Sequence, residues 1–212
     1  MSAGQATGTQ ATSLRERKKQ RARDALYEAA LELLGERPYD KVSVDDICAR
    51  AEVGRASFYR FYGTKVGLVT EFNRRLAVLV REAIDRRAAR GQHPPGAVER
   101  LRILQETLAE HWTMADRGAR TMALAFVAEG TIAMVGDAAD TVYRPLLDLV
   151  IAIVTEGQAS GELTTPLAPG LAAWLIMTAL AAATSTWLTG QSPGDLHRTT
   201  ADALNALLFG MS

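Results

Sequence analysis

The stretch Arg55-Ala-Ser-Phe-Tyr-Arg-Phe-Tyr62 holds two guanidiniums, two phenols and a hydroxyl within eight residues, and Lys65 follows shortly after. Wound into a helix, it turns Phe58 inward and leaves Arg55, Ser57, Tyr59, Arg60 and Tyr62 to project. A polyanion suits such a set of donors. An arginine at a helix start matches the paired acceptors on a guanine edge, a contact worth about 1–3 kcal/mol of discrimination. Arg55 and Ser57 are therefore expected on base edges. Tyr59, Arg60 and Tyr62 are expected on phosphates, and Lys65, at the N-terminus of the next helix, on one more.

The flanking residues supply the support these side chains need. Ser43-Val-Asp-Asp46 places a hydroxyl at a helix N-cap and a carboxylate three residues on. The helix it opens is short, because Glu52-Val53-Gly54 breaks it before Arg55. Val44, Ile47, Cys48, Ala51 and Val53 form its packed side with Phe58, so the pattern is short helix, tight turn, short helix. Upstream, Ala22, Leu26, Ala29, Ala30, Leu33 and Leu34 recur at helical steps up to Gly35. A basic run from Arg15 to Arg23 leads into them, from which Arg17 or Lys18 reaches a phosphate or the adjacent minor groove. Residues 1–13 have no apolar period and are expected to be a disordered arm.

Charge is divided along the chain. Residues 1–90 hold 18 Lys+Arg against 12 Asp+Glu, net +6, while residues 91–212 hold 6 against 12, net −6. The N-terminal part is the end suited to phosphates. Other chemistries lack their residues: there are no paired carboxylates at useful spacing, no nucleophile with a base and no phosphate-binding glycine loop. The string Gly157-Gln-Ala-Ser-Gly161 is one position off a nucleophile elbow and has no strand before it. No catalytic residue and no cofactor are expected. His93, His111 and His197 fall on separate elements, and Cys48 has no partner for a disulfide or a zinc site, so no metal is expected either. A lone cysteine and the lack of a leader pattern point to a cytoplasmic chain.

Beyond Tyr62 the pattern is helical throughout. A connecting helix spans 64–90, about 40 Å long at the helical rise, and helices follow over 97–116, 119–135, 138–157, 167–189 and 193–209. Trp112, Met122, Phe126, Trp174 and Met177 are candidates to line an apolar ligand pocket, with Glu129 the one carboxylate in its apolar stretch. Each apolar residue taken singly is more often plain core, and a lone carboxylate is more often a surface or capping residue. From Leu167 to Gly190 no residue is charged, a length that suits a membrane span or the seam of a helical dimer. Its five Thr or Ser residues, two Gly and distant basic flanks favour the seam, formed with Leu196–Leu208 and the same two helices of a second copy.

The segment from Ser43 to Lys65 resembles the DNA-binding signature of TetR-family regulators. The matching positions are Ser43, Ile47, Ala51, Val53, Ser57, Tyr59, Tyr62 and Lys65. The departures are Glu52, where a glycine is usual, Gly54, where a serine often stands, and Ala56, where a glycine is common. The resemblance covers roughly residues 20 to 70. It implies a homodimer on double-stranded DNA at a palindromic operator, usually a repressor, released when a small-molecule effector enters the C-terminal body. The expected fold is all-α: a disordered arm over 1–13, a three-helix helix-turn-helix domain over 14–63, and a helical ligand-binding and dimerisation domain over 64–212. A helical enzyme or carrier is the competing class.

Overall fold

The computed structural model describes residues 5–91, 93–133, 144–191 and 194–209, with the backbone alone for 5–13 and 129–133. Among the described residues all regular structure is helical. The elements are α1 (Gln5–Glu36), a 3₁₀ turn (Tyr39–Lys41), α2 (Val44–Arg50), α3 (Arg55–Tyr62), α4 (Val66–Arg90), α5 (Ala97–Met114), α6 (Arg117–Ala133), α7 (Arg144–Ala159), α8 (Pro169–Leu188) and α9 (Leu196–Phe209). The segment expected as a disordered arm is helical from Gln5. A helix anchored by a packed face propagates backward at one hydrogen bond per residue, and Ala, Gln and Thr do not stop it. The expected start of a helix at 138 falls in residues 134–143, which lie outside the described ones.

The head is made of α1, α2 and α3. Leu26, Ala30, Leu33 and Leu34 of α1 pack with Val42, Ile47 and Phe58, all nearly or fully buried. Ser43 caps α2 as expected: its hydroxyl oxygen accepts from Asp46 N–H at 3.1 Å, and the Ser43 N–H donates to Asp46 Oδ2 at 3.0 Å. That backbone donor, with the Ser43 hydroxyl, holds the Asp46 carboxyl below the usual range. The turn after α2 is a Schellman closure, in which Val53 N–H donates to Cys48 O at 3.0 Å and Glu52 N–H to Ala49 O at 3.3 Å. It requires a left-handed residue, and Glu52 takes that place at φ 54°. A glycine is usual there because a side chain in this conformation costs about 1–2 kcal/mol.

The helix α4 belongs to head and body alike. Its first turn crosses α3 so closely that any side chain at Gly67 would run into the Tyr62 carbonyl. One turn on, Glu71 is only 2% exposed although it is a carboxylate. Arg74 grips it with two parallel bonds, Nε at 2.7 Å and Nη2 at 2.6 Å, while Arg23 of α1 reaches it at 2.6 Å and Arg75 at 3.0 Å. Arg75 also binds Asp24 of α1 at 2.6 Å and lies 3.9 Å from the centre of the Tyr27 ring. Burial alone would raise the Glu71 pKa, but the bonds from Arg74 and Arg75 and the charge of Arg23 outweigh it and hold the carboxyl below its ordinary value.

In the body, α4, α5, α7, α8 and α9 surround a core of Leu101, Leu104, Val150, Ile153, Ala173, Leu180, Leu196 and Leu204. Glu162 caps α5 from a distant loop, accepting from Ala97 N–H at 2.6 Å and Val98 N–H at 2.9 Å. Asn73, fully buried on α4, accepts from Leu146 N–H at 3.0 Å and so ties α4 to the start of α7. The start of α6 lies on the end of α1, where a side chain at Gly118 would collide with the Leu31 carbonyl. Only a third of the apolar window in α8 is buried within the chain. Leu171, Leu207 and Phe209 stand 48%, 45% and 63% exposed on α8 and α9, an apolar surface that one copy leaves uncovered.

Replacing Glu71 by Gln is expected to cost about 3 kcal/mol, because it leaves three guanidiniums around a neutral amide. The lowered pKa fixes the sign of the pH effect. The carboxylate's contribution is complete above its ordinary value of 4.5 and is lost as the pH falls through the lower folded value. Thermal melts from pH 7 to pH 3 should show an acid limb in the wild type that is flatter in Glu71→Gln.

Candidate DNA-binding interface

Helix α3 buries one side and offers the other. Phe58 is fully buried, while Arg55, Ala56, Tyr59 and Arg60 are exposed and Ser57 is half-buried. The exposed set therefore spaces at one and four residues, one continuous stripe along the helix. Tyr59 rests edge-on against Phe58, with centroids 5.7 Å apart, and keeps half its surface in solvent. Arg60 lies over the Phe61 ring and within 3.4 Å of the Ser57 hydroxyl, so guanidinium and hydroxyl form one polar patch.

Arg55, at the first position of α3, forms an ion pair with Asp45 of α2, its Nε 2.7 Å from Oδ1. Both side chains are more than half exposed, so the pair adds little stability. Its use is orientation: with Nε held by the carboxylate, the two terminal nitrogens of the guanidinium remain as a fork at the helix start, where a guanine edge would be met. Arg17 and Lys18 are exposed on α1.

Two expected DNA contacts have other tasks. Tyr62 does not project: it is 8% exposed, packs 5.4 Å from Phe58 centre to centre, and donates its hydroxyl to the Arg23 carbonyl at 2.7 Å. Burial pushes its phenol up to about 12. Lys65 turns back to the loop before α2, donating to Tyr39 O at 2.6 Å and Val42 O at 3.0 Å, with its ammonium 3.9 Å from the Tyr39 ring centre. It acts as a clamp on the 3₁₀ turn. The sequence pattern does not separate the two roles, because an amphipathic side chain with a polar tip looks the same whether the tip meets DNA or a buried carbonyl. Ser43 is likewise engaged in its capping box.

In the body, a narrow apolar cavity with a free volume of about 40 Å³ lies between α4, α5, α6, α7, α8 and α9. Of the candidate pocket residues, Trp112, Phe126 and Met177 line it. Met122 is fully buried outside its lining, and Trp174 is half-buried elsewhere on α8. The Glu129 side chain lies outside the described residues. The sequence reading did not single out Gln105, Thr184 and Thr200, three neutral polar residues in the lining.

A basic head with a helix-turn-helix, a projecting recognition helix and a separate helical body defines a DNA-binding transcriptional regulator. Residues 26–72 match the family described as bacterial regulatory proteins, tetR family. Among solved structures, FadR of Thermus thermophilus, a TetR-family transcriptional repressor in complex with lauroyl-CoA, superposes with a TM-score of 0.69 at 23% identity, over 90% of this chain and 95% of that one. FadR of Bacillus subtilis in complex with stearoyl-CoA gives 0.66 at 18%, over 89% and 98%, and the MbdR regulator of Azoarcus sp. CIB gives 0.58 at 19%, over 90% and 99%. No curated protein matches the chain. The DNA-binding domain thus matches the tetR family model over residues 26–72, and about 90% of the chain shares the fold of these regulators.

Arg55→Ala should weaken DNA binding and relax preference at one base pair, a loss of about 1–3 kcal/mol read from binding to an operator and its single-base variants. Tyr62→Phe should instead lower stability by about 1 kcal/mol and leave the salt dependence of DNA binding unchanged. A shallower salt slope in Tyr62→Phe would return Tyr62 to the phosphate contacts.

Proposed function

We propose that this protein is a homodimeric repressor, bound to a palindromic operator and released by an apolar small molecule in the body. Arg55 and Ser57 read bases, Ala56 allows close approach, and Tyr59, Arg60, Arg17 and Lys18 contact the backbone or minor groove. The cavity carries the effector part of this reading. Its walls include Leu76 of α4 and Ala123, Phe126 and Val127 of α6, the two helices that also rest on the head. Lauroyl-CoA and stearoyl-CoA in the two FadR structures support an apolar occupant.

The physical route is short. Glu71, which holds α1, stands two positions before Asn73, which holds α7, and Leu76 on the cavity is less than a turn further on. At the other end, α6 touches α1 backbone to backbone at Gly118. A ligand that parts α5, α6 and α8 therefore displaces helices on which the head is seated. Two heads must reach major grooves about 34 Å apart, so a small tilt in each lowers operator affinity. A coupling of about 1–3 kcal/mol is sufficient.

The exposed apolar faces of α8 and α9 supply the dimer seam. No charged side chain occurs from Pro169 to Leu188, and two copies of α8 and α9 would bury Leu171, Leu207 and Phe209 in a four-helix interface. Leu207→Glu should give a monomer by sedimentation and lose operator binding, because each half-site alone is weak. The direct test is binding of the dimer to its own upstream DNA across a salt series, with and without apolar compounds. Tight, steeply salt-dependent binding weakened by one compound is expected; binding blind to sequence, or unmoved by every compound, overturns the proposal.

A further inference from the structure

Gln105 is 4% exposed and lines the cavity, a costly position for an amide unless its atoms find partners. Its Nε2 donates to Thr200 Oγ1 at 2.7 Å and to the His197 carbonyl at 3.1 Å. A carbonyl only accepts, so the contact with His197 fixes which end of the amide is the nitrogen. Thr200 commits its own proton to the Leu196 carbonyl at 2.7 Å and must accept from Gln105. Both amide hydrogens are thus used against α9, and Oε1 has no hydrogen-bond partner among the described residues. Thr184 of α8, 8% exposed and on the same cavity, has a hydroxyl that is also without a partner among the described residues.

We propose that the cavity receives an uncharged, mainly apolar molecule whose polar group is a hydrogen-bond donor, a phenolic or alcoholic hydroxyl, bonded to Gln105 Oε1. This deepens the effector reading above and rests on it. Among the described residues the lining contains no Asp, Glu, Lys, Arg or His to compensate a charge. A carboxylate would face the Gln105 oxygen with another negative oxygen. An ether or ester presents acceptors alone and leaves Oε1 without a partner. A hydroxyl satisfies it, and Thr184, which can donate or accept, closes the second bond without altering the preference.

The test is calorimetric titration of the full-length protein with 4-propylphenol, its methyl ether and 4-propylbenzoate, three probes alike in apolar body. The phenol is expected to bind about tenfold more tightly than the ether, the difference of one neutral hydrogen bond, and the benzoate not to bind. Gln105→Leu should lower phenol affinity about tenfold and leave ether affinity unchanged, the latter showing that the cavity remains folded. Thr184→Val, which keeps the shape, should lower phenol affinity by a smaller factor. Equal binding of phenol and ether to the wild type, binding of the benzoate, or a Gln105→Leu protein that holds the phenol as tightly as before overturns the donor assignment while leaving the effector reading in place. If none of the three binds and operator affinity is unmoved by each, the effector reading falls with it.

Discussion

The carboxylate of Glu71 is the fixed point of the molecule. A charge at 2% exposure is tolerable only if its partners come from every side, and here α1 supplies Arg23 while α4 supplies Arg74 and Arg75. Arg75 continues the link to Asp24, and the Tyr62 hydroxyl adds a bond from α3 to the Arg23 carbonyl. Three helices are thus locked by directional contacts within one small volume. An apolar joint would hold them together, but with greater freedom of angle. The ionic joint fixes the angle between head and α4, which decides where the exposed stripe of α3 points.

Local signals made the head legible. The capping box at Ser43, the break at Glu52-Val53-Gly54 and the inward Phe58 each depend on residues a few positions apart, so a single sequence displays them. What escaped was non-local. Glu71 was not singled out, because a carboxylate on a long charged helix has the pattern of a solvated residue; its partner Arg23 is 48 positions away. Tyr62 and Lys65 carried the right residue types at the right spacing for DNA, yet their polar tips end on backbone carbonyls of α1 and of the loop before α2.

The body divides in the same way. Trp112, Phe126 and Met177 were recognisable as pocket candidates because large apolar side chains are expected in a core, and the cavity is a gap in that core. Gln105 was not, since a glutamine on an amphipathic helix is ordinarily a surface residue. Its role follows from Thr200 and His197, more than 90 positions away, which consume its donors and leave its acceptor without a partner among the described residues. Residue type marked the greasy walls, whereas packing alone revealed the polar group that gives the cavity a preference.

The small size of the cavity bears on how a ligand acts. A free volume of about 40 Å³ holds a few water molecules and no effector of useful size. The form described is therefore closed, and a ligand must select or create a wider one. If the wide form is about 1% of the population, apparent ligand affinity falls about a hundredfold below the intrinsic value. That loss is also what makes regulation possible, because a ligand equally at home in both forms shifts neither. Widening requires α6 or α8 to move away from α5. The start of α6 cannot move without carrying the end of α1, since the contact at Gly118 leaves no side chain between them to flex. Within the head, α1 is in turn bound to α4 through Glu71. On the proposed reading, the rigid contacts that set the recognition helix for DNA also resist opening of the cavity, so that the open cavity and the DNA-ready head would be competing states of one structure.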